Sequence, residues 1–212
     1  MLTTTFRKAF CSPTADHGRV LPKQGVLIIL FYGGVTTGSP EQGGGGTVIA
    51  QANVATGQAT VKYMGGAYLE SRKLTATAAA NIGLLKGLKF CRQQGWSAVH
   101  VVGDNDMDIR NYATRRAPRG NKLQGTYWKT RRMADAVTVA TWRSVQREHN
   151  TTARTLANMV RTTQQPMEWL DSMANKDGGR WGAIRNMATR DVAHWLTEWL
   201  ATGNPQRATE TV

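Results

Sequence analysis

The sequence predicts an α/β fold: a five-stranded mixed sheet flanked by helices, with a helical extension at its C-terminal end. Three patterns carry this expectation. Branched apolar runs separated by glycine-rich stretches open the chain and read as consecutive strands. A long apolar periodicity of three- and four-residue steps follows from Leu74. Short apolar runs then alternate with helical patterns as far as residue 165, the signature of strands and crossover helices in one sheet.

The elements follow in order. Residues 26–31, VLIILF, form an unbroken apolar run rich in branched side chains, as expected of a central strand buried on both faces. Gly33-Gly34 ends it, and Ser39-Pro40 with Gly43 to Gly46 reads as a glycine-rich turn before a second strand at 47–50. Residues 58–64 alternate well enough for a third strand, closed by Gly65-Gly66. The clearest helix spans 74–94, with Ala78, Ile82, Leu85, Leu88 and Cys91 on one face and Gly95 as its stop. A short buried strand at 98–102 runs into Gly103-Asp104. Residues 106–112 begin a helix, with Asp106 and Asp108 near its positive end, and Ala117-Pro118-Arg119-Gly120 breaks it. A helix at 123–137, a fifth strand at 139–145 and a last core helix at 153–163 complete the domain.

Beyond Pro166 the composition changes. Trp169, Trp181, Trp195 and Trp199 are four of the seven tryptophans. Ile184, Ala188, Val192, Trp195 and Trp199 recur at helical steps, giving an amphipathic helix over 186–201. Such a helix either packs on the preceding domain or offers a surface for a protein partner or self-association. The expected organisation is a disordered or leader segment at 1–24, one domain at 25–165, and a Trp-rich extension with a frayed tail at 166–212.

Charge narrows the function classes. The formal net charge is +13, and residues 110–161 alone hold twelve Lys/Arg against Asp135 and Glu148. Basic charge concentrated in this way favours polyanions, nucleic acid first, over a merely solvated basic surface. Cys11 and Cys91 are far apart and without metal-ligand spacing, so neither a disulfide framework nor a zinc site is expected. No apolar run has the length of a membrane span. An intracellular location, nuclear or cytoplasmic, fits these features. Arg7, Lys8, Arg19 and the lone acid Asp16 give the leader a partial likeness to a transit peptide, which leaves a mitochondrial address open.

Four local motifs carry a more specific signal. The first is Leu30-Phe31-Tyr32-Gly33-Gly34-Val35 running on to Gly38-Ser39-Pro40. The second is Leu74-Thr75-Ala76-Thr77-Ala78-Ala79-Ala80-Asn81 followed by a leucine-rich helix, and the third is Val101-Val102-Gly103-Asp104-Asn105. The fourth is Arg147-Glu148-His149-Asn150-Thr151-Thr152-Ala153-Arg154-Thr155-Leu156-Ala157-Asn158. Together, over residues 26–163, they resemble the type 1 ribonuclease H family, in particular the RNase H domains of retroelement polyproteins of the oomycete-like kind. The resemblance implies a ribonuclease H-like fold and, in active members, two divalent ions held by four carboxylates that cleave RNA in an RNA–DNA hybrid.

This chain departs from that pattern at three of the four carboxylate positions. Asp104 is retained, whereas Tyr32, Ala80 and Arg154 stand where the others belong. Ala76 and Thr77 replace a pair of backbone-contacting Asn residues, and Asn81 replaces a Tyr. Four ionised acids would supply a charge of about −4, but Asp104 and Arg154 cancel. Two-metal catalysis needs oxygen donors that hold the ions against phosphate, so no metal or cofactor is expected. Magnesium or manganese enters only if a displaced site uses Asp106, Asp108 or Glu148, with His149 as a proton shuttle.

The resemblance also implies a nucleic-acid-facing set: Gly33, Gly34, Thr75, Thr77, Asn105, Asn150 and Arg154, with Arg115, Arg116, Arg119 and Lys122 as a basic loop. Tyr127 suits the core, and Trp128 suits either stacking or packing. Arg154 has three expected fates: pairing with Asp104, contacting a phosphate directly, or facing solvent. Three functions follow: a non-catalytic nucleic-acid binder, an active hybrid ribonuclease with a displaced metal site, and a protein-interaction scaffold using the C-terminal helix.

Overall fold

The computed structural model describes residues 25–37, 42–70, 74–173 and 179–202. The leader at 1–24, the Ser39-Pro40 turn and the tail at 203–212 lie outside these residues. Strands β1 (Val26–Thr37), β2 (Gln42–Asn53) and β3 (Ala59–Glu70) form an antiparallel meander. Helix α1 (Ala76–Gln93) leads to β4 (Val99–Gly103), which returns beside β1 in parallel. Then come α2 (Asp106–Ala113), α3 (Asn121–Ala136) and β5 (Val139–Ser144), the last parallel to β4. A 3-10 turn, Arg147–His149, precedes α4 (Thr151–Thr163), after which β6 (Met167–Leu170) and α5 (Arg180–Ala201) end the described chain.

The sheet order is β5-β4-β1-β2-β3-β6. The sheet therefore has six strands rather than the expected five. The sixth, β6, pairs antiparallel with β3 from Tyr63↔Leu170 to Gly66↔Met167. Its four residues include exposed Glu168 and a fully buried Trp169, too short a stretch to show a strand period.

The apolar run of β1 is continuous because both of its faces are covered. Ile28, Leu30 and Tyr32 join Leu84, Leu88, Val101, Tyr112 and Tyr127 on the α1–α3 side. Ile29 and Phe31 join Val48, Met64, Leu156 and the apolar side of α5 on the other. Cys91 lies in the first cluster, where burial pushes its thiol up to about 12, consistent with a small core residue.

The glycine run Gly43 to Gly46 is strand, not turn. All four residues belong to β2, pairing with Thr36 to Gly33 of β1 and Leu69 to Gly66 of β3. A Cβ on Gly44 or Gly46 would strike the carbonyls of Ala157 and Ala153 in α4, and one on Gly45 would strike the Ala79 carbonyl in α1. Both helices thus press their backbones onto this strand, which only glycine permits. The strand continues past its apolar stretch for that reason, as β3 does through Gly65-Gly66.

Helix α5 starts at Arg180, six residues before its expected beginning. Its side bearing Ile184, Ala188, Val192, Trp195 and Trp199 is buried in the same cluster as β1, β2 and β6. Of its two expected roles, packing on the domain is the one observed. Among the described residues no helix is long and apolar enough to cross a membrane.

Candidate nucleic-acid interface

The C-terminal end of β4 lies beside the middle of β1, with Gly103 paired to Tyr32. Around them lies a cleft of about 320 Å³, lined by Gly34, Ala76, Thr77, Ala80, Asp104, Asn105, Asp106, Met107, Arg147 and Arg154. Four elements build it. β1 supplies Gly34, the first turn of α1 supplies Ala76 and Thr77, the β4–α2 junction supplies Asp104 to Met107, and the segment from the 3-10 turn into α4 supplies the two arginines.

Local capping fixes the geometry. The Thr75 hydroxyl accepts the Ala78 amide at 3.1 Å and starts α1. Asn105 caps α2 by accepting from the Asp108 amide at 3.3 Å, while its own Nδ2 donates to the Thr77 hydroxyl at 3.3 Å. That bond ties the start of α1 to the start of α2. Gly34 is required where it stands, since a Cβ there would strike the Ala80 backbone.

At the centre Arg154 Nη1 donates to Asp104 Oδ2 at 2.9 Å. The Asp104 side chain is only 10% exposed and that of Arg154 35%, so the arginine covers the acid. Pairing with Asp104 is therefore the fate of Arg154 that the structure selects. Asp106 is held by Arg110 one helical turn along.

Behind the cleft wall sits a buried polar group. Tyr32 is 1% exposed, and its hydroxyl finds no hydrogen-bond partner among the described residues. Burial, then the charges of Asp108, Tyr112 and Asp104, hold its pKa well above the ordinary tyrosine range. Asp108 is likewise buried, with Oδ2 unpartnered. Burial and then Asp104 push its carboxyl up to about 6. Neighbouring Tyr112 stacks between Tyr127 and Trp142 and donates to Asn81 Oδ1 at 2.8 Å.

The expected site residues divide into those in the cleft and those away from it. Gly34, Thr77, Asn105, Asp104 and Arg154 meet there, with Ala80 on its wall. Gly33 lies beneath Arg154, whose Cγ would be 3.2 Å from an added Cβ. Asn150 is fully buried and donates to the Tyr32 carbonyl at 2.9 Å, so it pins β1 to the start of α4 and faces no solvent. Thr75 is exposed but serves as a helix cap. The basic loop lies outside the cleft lining: Arg115 pairs with Asp135 at 3.1 Å, while Arg116 and Arg119 are exposed. Lys122 is in the first turn of α3, with its side chain outside the described set. Tyr127 is core, and Trp128 is half exposed against its edge.

Of the proposed substitutes for missing acids only Asp106 lines the cleft, and it is paired with Arg110. Asp108 points into the core, Glu148 is exposed in the 3-10 turn, and His149 stacks on His194 of α5 with ring centroids 3.5 Å apart. Among the described residues no group of three or more His, Cys, Asp or Glu could hold a metal. A two-metal centre does not fit this donor set: Asp104 is covered by a guanidinium, Ala80 has no donor atom, and the Tyr32 hydroxyl is enclosed. Arg147 was not among the expected site residues. It stood in the fourth motif, where the text of the motif gave no sign that it faced the cleft.

The family described as reverse transcriptase-like matches residues 31–160. No curated protein matches the sequence. Among solved structures, RNase H1 from the halophilic archaeon Halobacterium salinarum superposes with a TM-score of 0.55 at 17% identity, covering 65% of this chain and 98% of that one. LC11-RNase H1, solved in complex with an RNA/DNA hybrid, gives 0.56 at 20% identity, covering 65% and 98%. LC9-RNase H1, a type 1 RNase H with the type 2 active-site motif, gives 0.56 at 14% identity, covering 75% and 84%. Identities this low speak for the fold alone. With the family match spanning more than half of its residues, the chain belongs to the reverse transcriptase-like family and folds as an RNase H-like domain.

Proposed function

We propose that this protein binds nucleic acid through its RNase H-like domain and does not hydrolyse it by the two-metal route. One observation carries the reading: Arg154 donates to Asp104 at 2.9 Å, placing a fixed cation beside the only carboxylate retained from the family pattern. A hydrolytic centre must concentrate negative charge to hold its ions, whereas this one is neutralised. Phosphate approaching the same face meets less repulsion and needs no ion to screen it. Exposed Arg116, Arg119, Lys129 and Arg132 extend the basic surface along the α2–α3 connection and α3. LC11-RNase H1 supplies a fold precedent for RNA/DNA hybrid as the ligand. Contacts would run to the sugar–phosphate backbone, with little reading of base sequence.

The test pairs binding with cleavage. Filter binding of a labelled RNA–DNA hybrid across a salt series should show affinity falling steeply as salt rises. The same hybrid should stay intact with magnesium or manganese. Salt-insensitive binding counts against the reading, and cleavage that Asp104→Asn abolishes overturns it in favour of a displaced metal site.

A further inference from the structure

Arg154 has more hydrogen-bonding capacity than Asp104 consumes. A guanidinium carries five N–H donors, and the Arg154–Asp104 contact is a single bond through Nη1. Among the described residues no other hydrogen bond or ion pair engages Arg154. Its stem is held in one direction, with Cγ against Gly33, so the remaining donors sit at a defined place on the cleft wall. Arg147 lines the same cleft, is exposed, and has no ion-pair partner among the described residues. The Thr77 hydroxyl accepts from Asn105, and its own O–H has no acceptor among the described residues. Both acids of the lining are already paired, Asp104 with Arg154 and Asp106 with Arg110. Arg147 therefore leaves the cleft with an excess of positive charge.

We infer that this cleft binds one phosphate of a polynucleotide strand without a divalent cation, Arg154 and Arg147 supplying the positive charge. This inference rests on the nucleic-acid-binding reading and sharpens it to one site. Arg154 would keep its bond to Asp104 through Nη1 and offer its remaining N–H groups to two phosphate oxygens, a geometry that suits guanidinium better than ammonium. The Thr77 hydroxyl would take a third oxygen. At about 320 Å³ the cleft has room for a phosphodiester, and the rest of the strand would run outward over the basic surface.

Two measurements on the full chain test the site, both in EDTA. In the first, the Arg154 Nε–Hε NMR signal is followed while inorganic phosphate is titrated at constant ionic strength. A saturable shift, absent with chloride, is expected; no shift overturns the site. In the second, RNA–DNA hybrid affinity is compared among wild type, Arg154→Ala, Asp104→Asn and the double variant, each checked for folding by circular dichroism. Loss of one charge-assisted contact should weaken Arg154→Ala about tenfold. The double variant should stay weak and Asp104→Asn should bind at least as tightly as wild type. If the double variant regains wild-type affinity, the defect came from baring Asp104 and the site is overturned. If Arg154→Ala binds like wild type, the site falls while nucleic-acid binding stands. If wild type binds no hybrid, the broader reading falls, and the phosphate titration alone judges the cleft.

Discussion

Asp191 of α5 closes the first turn of α4. Its carboxylate accepts from the Thr152 backbone amide at 2.8 Å and from the hydroxyls of Thr152 and Thr151 at 2.7 and 2.9 Å. The residue at the N-cap, Asn150, makes no capping bond: its Nδ2 donates to the Tyr32 carbonyl, and its Oδ1, the atom a cap would use, has no partner among the described residues. A helix start that carries Arg154 one turn later is thus capped from 39 residues away.

Asp191→Ala should therefore destabilise the fold by about 2–4 kcal/mol, since it strands a buried amide and two hydroxyls together. Urea denaturation followed by circular dichroism measures this. Asp191→Asn keeps one acceptor and should lose less. Equal stability of all three proteins would mean that the cap contributes nothing.

Asp108 gives a prediction in pH. Its folded carboxyl is raised from 3.8 to about 6 by burial and by Asp104. The folded state then binds the proton more tightly than the unfolded one. This contribution is fully present below about pH 4 and is lost as pH rises through 6. Asp108→Asn removes the cost of the buried charge and should raise stability at pH 7 to 8 by roughly 1–3 kcal/mol, less whatever the α2 dipole gains from the acid. His100, held down at about 4 by burial, titrates with the opposite sign over an overlapping range. The readout is therefore the difference between variant and wild type, which should grow from pH 4 to pH 6 and then level off.

The glycines of β2 and of α3 should respond in opposite directions. Gly46→Ala drives a methyl into the Ala153 carbonyl and should cost at least about 3 kcal/mol or abolish soluble expression. Gly125, inside α3, has open space where its Cβ would go, so Gly125→Ala should stabilise by about 0.5–1 kcal/mol. Thermal melts of the two variants distinguish these outcomes, and a harmless Gly46→Ala would refute the close helix–strand approach.

On the proposed reading, a metal response can be built into the cleft wall. Millimolar magnesium should leave the wild-type melting temperature unchanged. The Ala80→Glu, Arg154→Asp double variant adds two carboxylates to Asp104 on surfaces that face the cleft. It should melt several degrees higher with magnesium than without, by simple binding linkage. A wild-type melting temperature that rises equally would point to a metal site elsewhere.

Much of this arrangement was legible in the sequence where side chains carry the signal. The apolar run of β1, the helix α1 with its Gly95 stop, and the fourth motif lie where expected, although α1 buries Leu84, Leu88, Cys91 and its glycines, with Ala78, Ile82 and Leu85 only partly covered. The pairing of Arg154 with Asp104 was foreseeable from two opposite charges at converging family positions, with phosphate contact and exposure as the alternatives. Glycine hid the rest. A strand that packs by lacking side chains shows no alternation, so Gly43 to Gly46 read as a turn. The role of Asn150 was hidden differently: a polar residue in a motif looks available, and only the fold shows its amide spent on the Tyr32 carbonyl. For the Trp-rich extension, packing on the domain and a partner surface both stayed open, because tryptophan periodicity does not say which surface it meets. Trp195 and Trp199 meet His100 of β4, and Trp169 meets the main core. Truncation at Pro166 would therefore uncover the sheet and report on folding more than on a partner.

The ring of Tyr32 occupies the space that Gly103 leaves, an added Cβ on Gly103 coming within 2.6 Å of it. That contact makes the order of substitutions matter. Putting a carboxylate back at position 32 first would empty the space above Gly103 and enclose a third acid with Asp104 and Asp108, where their charges already oppose ionisation of the Tyr32 phenol. Such a protein would lose stability before it could gain a ligand. Arg154 opens onto the cleft and carries no such penalty, whereas Ala80 lines it while only 7% exposed, so a carboxylate there is partly enclosed. On the proposed reading, a path toward a carboxylate-lined cleft therefore runs from the cleft wall inward, with position 32 last. Along any path that begins at position 32, the present state is a trap.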